Sequence, residues 1–232
     1  GAFFNERYQA AGMIRNVRAD TVLLGTSMAA NYRASWIGET FGGTGLRITI
    51  PDGYLSEFDQ AVELLFRTQD PQRVIFGLDL NILVRDESGL TGAMPDYLYN
   101  KNPVDDVRYL LNKDTLYYSL YTIMTELWGT EQSLDEGFTW GEGIWWNHLT
   151  ALDNYERPEP AGETLPPDTY LDEAAGNLAV VEQWVTAHPD TQFDIFFPPY
   201  SILFWDKAAR QGTTDAMLSA LELAVETLAP YE

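Results

Sequence analysis

The sequence predicts a single domain of the α/β class, in which helices flank a parallel sheet. Short runs of apolar and β-branched residues alternate along the chain with segments of helical periodicity. One strand–helix–strand stretch has the length of a βαβ unit, which joins parallel strands through a right-handed crossover. The 232 residues suit one large domain, and a hydrophobic content of 45% is ordinary for a globular protein.

The first half of the chain contains three predicted strands and one predicted helix. Strands are predicted at residues 20–25, 46–50 and 73–78, where β-branched and apolar residues are concentrated. Residues 56–68 carry apolar side chains at helical spacing, and Ser56 is placed to cap this helix at its N-terminus. These elements form the predicted βαβ unit.

The second half contains further helices around an irregular stretch. Helices are predicted at 104–111, 115–128, 171–187, 201–211 and 214–228, and a fourth strand at 193–197. Residues 129–167 lack periodicity and are rich in Trp, Gly and Pro. Because such long irregular stretches are uncommon inside compact domains unless they have a function of their own, we expect an ordered aromatic insertion here.

Charge and composition restrict the possible partners. The chain has 35 acidic and 14 basic residues, a formal net charge of -21 that repels nucleic acid and anionic lipid. It has no cysteine, so disulfides and a thiolate nucleophile are excluded. The sequence has no glycine-rich phosphate motif and only two histidines, which predicts no cofactor and no metal. No apolar run is long enough to span a membrane.

Polar or glycine-rich segments follow the first three predicted strands. Since the carboxyl ends of parallel strands meet at one edge of a sheet, these segments predict a site there. Ser27, after the first strand, is a candidate nucleophile, or alternatively a simple helix cap. Gly53, after the second, is a candidate oxyanion donor through its N–H, or alternatively a turn glycine. Asp79 and Asn81, after the third, are candidate hydrogen-bonding groups at the same edge.

A serine nucleophile also needs a base, and the sequence offers two histidines. His188 ends the helix that precedes the fourth strand, a position that indicates a structural role. His148 lies in the aromatic insertion and is the possible base within this chain. Near the C-terminus there is no convincing Asp-x-x-His block.

These strand-end residues resemble the motifs of the SGNH hydrolase superfamily, also called GDSL-like esterases. The extracytoplasmic branch with the polysaccharide O-acetylation proteins and the teichoic-acid D-alanyl transfer protein is most similar. Residues 6–37 and 193–205 are also similar to a group of membrane-anchored bacterial proteins of this type. The resemblance implies a three-layer, flavodoxin-like fold, with Ser27 as nucleophile and Gly53 in the oxyanion hole. The third block departs from the family pattern, which leaves open whether Asp79 or Asn81 is the side-chain donor.

Three hypotheses about function follow from the resemblance. In the first, the chain is an esterase or acyltransferase acting on O-acyl groups of a cell-envelope glycan or related polymer, outside the cytoplasm and anchored by a segment upstream. Its base would be a histidine beyond a truncated chain end, or His148. In the second, the domain is not catalytic and binds a glycan or a partner protein. The third, a flavodoxin-like binding domain, would need a phosphate or flavin site that the sequence lacks.

Overall fold

A computed structural model of the chain describes residues 5–86, 94–102, 104–129, 135 and 147–231. It confirms the predicted class, because a four-stranded, fully parallel sheet is flanked by helices. The strands are β1 Thr21–Gly25, β2 Gly45–Thr49, β3 Arg73–Gly77 and β4 Gln192–Phe196. The helices are α1 Glu6–Asn16, α2 Ala34–Phe41, α3 Leu55–Thr68, α4 Leu80–Leu83, α5 Asp96–Tyr99, α6 Val107–Leu110, α7 Lys113–Leu127, α8 His148–Asp153, α9 Leu171–Ala187, α10 Ile202–Arg210 and α11 Thr214–Leu228.

The sheet has the strand order β2-β1-β3-β4, as in flavodoxin-like folds. Gly25, the last residue of β1, pairs with Thr49 of β2, and Gly77 of β3 pairs with Phe196 of β4. The four strands therefore end close together at one edge. The connection through α3 passes from β2 to β3 across β1, so the two strands of the predicted βαβ unit are parallel without being neighbours.

The main core lies on one face of the sheet. Side chains such as Val22 and Leu24 of β1 and Phe76 of β3 point to this face and are fully buried. Helices α1, α3, α9 and α11 pack beside one another over it. The alternation of side chains along each strand directs the intervening residues to the other face.

The opposite face has a smaller apolar cluster. Leu23 of β1 packs there with Ala29 and with Ile37 of α2. The partly buried Ile75 and Phe196 pack against this cluster. Helix α2 thus supplies the third layer, directly above the strand that leads to Ser27.

Predicted helices α9 and α11 agree with the structure at both ends, and most other predicted boundaries lie within one or two residues of the observed ones. The helix predicted at 104–111 is shorter in the structure, Val107–Leu110. The cap assigned to Ser56 is wrong. Helix α3 begins at Leu55 after the N-cap residue Tyr54, whose N–H donates to the carboxylate of Glu57 at 2.9 Å. Ser56 therefore lies in the first turn of the helix.

Part of the predicted insertion lies outside the described residues. Of residues 129–167, the structure describes 129, 135 and 147–167, and α8 is the helix in this part. Trp140, Trp145 and Trp146 are not among them. No helix within the described ranges is long and apolar enough to cross a membrane.

Candidate functional site

Ser27 lies at the carboxyl edge of the sheet, on the first turn after β1. It begins a single 3₁₀ turn, Ser27–Ala29, and is exposed although the flanking Thr26 and Ala29 are buried. Within the described part of the chain, neither its hydroxyl nor its backbone N–H forms a hydrogen bond. An exposed hydroxyl and a neighbouring unused N–H are the groups that a serine nucleophile and an oxyanion donor require.

The turn that carries Ser27 is fixed by the residue before it. Thr26 is 4% exposed, and its hydroxyl donates to Asp79 Oδ2 at 2.7 Å. The hydroxyl oxygen of Thr26 in turn accepts from the N–H of Met28 at 3.3 Å. Since a buried carboxylate is stable only with hydrogen-bond donors around it, the Thr26–Asp79 contact joins the end of β1 firmly to the end of β3.

Tyr200 completes the surroundings of the Asp79 carboxylate. Its hydroxyl donates to Asp79 Oδ1, which also accepts from the N–H of Asn81 at 3.0 Å. Burial, and secondarily the hydrogen bond to Asp79, raise the pKa of Tyr200, so the phenol keeps its proton and remains a donor. Asp79 therefore connects residues that follow β1, β3 and β4.

Helix α4, which follows Asp79, is held in place from the main core. The side-chain nitrogen of Asn177 on α9 donates to the carbonyls of Ile82, Leu83 and Arg85 at 3.0, 3.0 and 3.1 Å. These are carbonyls at the end of a short helix, which otherwise lack partners. Asn177 thereby fixes α4 and, with it, the position of Asp79.

Gly53 lies after β2 at the same edge, but its N–H is used within its own turn. It donates to the carbonyl of Ile50 at 3.0 Å. A Cβ at Gly53 would lie 2.8 Å from that carbonyl oxygen and from Cε2 of Phe58, so close packing accounts for this glycine. The assignment of Gly53 to an oxyanion hole stays a prediction, and it requires the N–H to leave Ile50.

Asp79 and Asn81 have different environments. Asp79 is 4% exposed and accepts three hydrogen bonds, whereas Asn81 is exposed in the first turn of α4. Asp79 is therefore a structural centre of the edge. The side chain of Asn81 is the one of the two that remains accessible to a ligand.

Within the described ranges, neither histidine forms a hydrogen bond with Ser27. His188 follows α9 and precedes β4, which places it at the amino edge of the sheet, opposite Ser27. Its ring stacks on Phe66 with centroids 3.5 Å apart, and burial lowers the pKa of His188. His148 is exposed at the start of α8 and forms no hydrogen bond to Ser27. The structural role expected of His188 agrees with its packing.

An apolar rim lies near Ser27. Met28 and Tyr32 are 38% and 42% exposed, and the Tyr32 ring meets Phe196 edge-on with centroids 6.2 Å apart. Because Phe196 is the last residue of β4, this contact places the segment after Ser27 against the end of β4. The rim offers an apolar surface beside the hydroxyl.

Sequence reasoning missed two members of this site, Thr26 as an anchor and Tyr200. A signal was available for Tyr200, because Pro198, Pro199 and Tyr200 follow the fourth strand and therefore had to lie at the same edge. No group of three or more His, Asp or Glu side chains in the described residues could hold a metal ion.

Comparison of the chain with known protein families, curated proteins and solved structures found no match.

Proposed function

We propose that this domain is a serine esterase or O-acyltransferase in which Ser27 is the nucleophile. The observation that carries the proposal is the placement of Ser27. Its exposed hydroxyl stands at the carboxyl edge of a parallel sheet, on a turn anchored by the buried Thr26–Asp79 hydrogen bond. Ligands in open parallel sheets bind outside this edge.

The proposed chemistry is acyl transfer through a covalent intermediate. Ser27 Oγ attacks the carbonyl carbon of an O-acyl ester, its proton passes to a base, and the N–H of Ser27 stabilises the developing oxyanion. Collapse of the tetrahedral intermediate breaks the ester C–O bond, and the alcohol leaves with a proton from the base. Water or a second hydroxyl then releases the acyl group from the serine.

The substrate class comes from the resemblance to SGNH hydrolases, which points to O-acyl groups on a cell-envelope glycan outside the cytoplasm. The apolar rim formed by Met28 and Tyr32 suits a short acyl chain. The strong negative charge of the chain favours a neutral or cationic substrate over a polyanionic one. The base of this reaction is His148 or a histidine that the present sequence does not contain.

A second candidate function is binding without catalysis. It is favoured by one specific observation, namely that no histidine forms a hydrogen bond with Ser27 within the described residues. The engaged N–H of Gly53 is also in keeping with it. In this alternative the same edge binds an acylated glycan or a partner protein, and Ser27 has ordinary reactivity.

Labelling with a fluorophosphonate probe separates the two functions. The intact mass of the protein is measured after exposure to the probe, for the unchanged chain, for Ser27→Ala and for Ser119→Ala. Ser119 is the matched control because it is an exposed serine on α7, away from the sheet edge. An activated Ser27 gives one adduct that Ser27→Ala loses and Ser119→Ala keeps.

Absence of an adduct, or an adduct that persists in Ser27→Ala, would contradict catalysis by this chain. If Ser27 is labelled, adding His148→Gln to the series tests whether His148 is the base. Loss of labelling in that variant assigns the base to His148, and unchanged labelling excludes it.

A further inference from the structure

A buried arginine lies beneath the turn that carries Ser27. Arg47, in the middle of β2, is 3% exposed and lies beside Leu23 of β1 in the sheet register. Its Nη1 donates to the carbonyl oxygens of Ala30 and Tyr32, each at 2.6 Å. These two residues form the connection between the Ser27 turn and α2.

The two carbonyls belong to a segment that contacts the sheet through the packing of Ala29 and Tyr32. Its own hydrogen bonds are short-range: Ala29 N–H to Thr26, Ala30 N–H to Ser27 and Tyr32 N–H to Ala29. Thr26 ties the start of the segment to Asp79, and Arg47 ties its end to β2. The position of Ser27 is therefore determined from both sides.

The choice of arginine has a physical reason. A guanidinium presents several donors in one rigid plane, so it can hold two carbonyls at once, and it stays charged in proteins. The carboxylates of Glu6 and Asp135 act electrostatically on Arg47 and offset part of the cost of its burial. A side chain without N–H groups, such as Met, would leave both carbonyls without this donor.

We propose that Arg47 is a positioning residue for the reaction at Ser27, and that it acts by holding the carbonyls of Ala30 and Tyr32. It does not touch the reacting atoms. The inference rests on the proposed function for its effect on catalysis, whereas its effect on the conformation of the turn is independent of that function.

The test compares Arg47→Met, Arg47→Lys and the control Arg33→Met. Arg33 lies on the same connection but is exposed, with its guanidinium 5.3 Å from the ring centre of Trp36. Two quantities are measured: the rate of fluorophosphonate labelling, resolved into probe affinity and reaction rate, and amide hydrogen exchange of residues 28–32. Thermal unfolding shows at which temperatures each variant is fully folded.

We expect Arg47→Met to slow the labelling reaction about 10-fold to 100-fold, the usual effect of a small misplacement, with the probe affinity little changed. Amide exchange in residues 28–32 becomes faster in that variant. Arg47→Lys, which keeps the charge and loses the planar fork, has an intermediate effect, and Arg33→Met has none. If Arg47→Met does not fold, Arg47→Lys carries the comparison.

A folded Arg47→Met variant with unchanged labelling and unchanged exchange would overturn the proposal. Faster exchange with unchanged labelling also overturns it, because the turn would move without consequence for Ser27. If the unchanged chain is not labelled at all, the proposed function fails. Amide exchange then decides alone, and unchanged exchange in the variants shows that Arg47 does not hold the turn.

Discussion

At the scale of single residues, the carboxyl edge of the sheet is organised around a buried carboxylate. Asp79 accepts hydrogen bonds from Thr26, Tyr200 and the N–H of Asn81, which come from three different strand ends. Because burying polar oxygens without donors is costly, these hydrogen bonds stabilise the position of Asp79 at the edge. The exposed Ser27 is displayed on this rigid base.

Gly53 provides a test of how tightly the edge is packed. Gly53→Ala places a Cβ 2.8 Å from the carbonyl oxygen of Ile50 and from Cε2 of Phe58, which forces the turn or the ring to shift. We expect a loss of about 1–3 kcal/mol in the free energy of unfolding, the usual cost of overpacking. Urea denaturation of the folded protein measures it.

The control for Gly53 is another glycine of the same chain. A Cβ at Gly176, an exposed position inside α9, meets no atom within 4 Å. Gly176→Ala should raise the free energy of unfolding by about 0.5–1 kcal/mol, because alanine is the better helix former. Equal effects of the two substitutions would show that Gly53 is not constrained by its neighbours.

At the scale of secondary structure, sequence patterns predicted the long helices of the second half and missed α1 and most of the short helices. Helices α9 and α11 have regularly spaced apolar residues and were predicted at their observed ends. Helix α1 was not predicted, and its buried residues are Ala10, Ala11, Met13 and Ile14. Helix α2 has eight residues and buries only Ile37, too few for a periodic signal.

The end of α9 should respond to pH through His188. Burial lowers the pKa of His188 below that of the unfolded chain, about 6.5, so the unfolded state binds more protons as the solution is acidified. Stability is therefore fully present above pH of about 6.5 and is lost as the pH falls through the folded-state pKa. Asp70 opposes this shift.

The effect is measured as the midpoint of thermal unfolding from about pH 7.5 to about pH 5, a range that brackets the ordinary histidine pKa of about 6.5. His188→Gln should lose less stability on acidification than the unchanged chain. His148→Gln is the control, because it removes the other histidine of the chain, which is exposed on α8. Parallel pH profiles for all three proteins would contradict the assignment of this stability change to His188.

At the scale of the whole molecule, the net charge of -21 has consequences for stability. Like charges on the surface repel one another in the compact state, and salt screens that repulsion. Helices α9 and α11 illustrate the imbalance, since each has three acidic residues and no basic residue.

We expect the midpoint of thermal unfolding to rise as NaCl is added at neutral pH. The double variant Glu222→Lys, Glu226→Lys is the comparison, because both residues are exposed on one face of α11 and their replacement reduces the repulsion. Its midpoint should rise less with salt than that of the unchanged chain. A midpoint that falls with salt in the unchanged chain would show that attractive ion pairs dominate the surface.

The sequence by itself determined the class of the fold, the four strands, most of the long helices and the edge at which Ser27, Gly53 and Asp79 lie, whereas the role of that edge stays a prediction. These depend on local periodicity and on the rule that parallel strands end together, and both can be read along one chain. Only the tertiary structure decided that Asp79 is buried, that Tyr200 and Thr26 donate to it, that the Gly53 N–H is engaged, and that Arg47 holds the turn after Ser27. The reason is that, apart from the local turn at Gly53, these contacts join residues well separated in the chain, and a residue's own neighbours in sequence carry no record of such a partner.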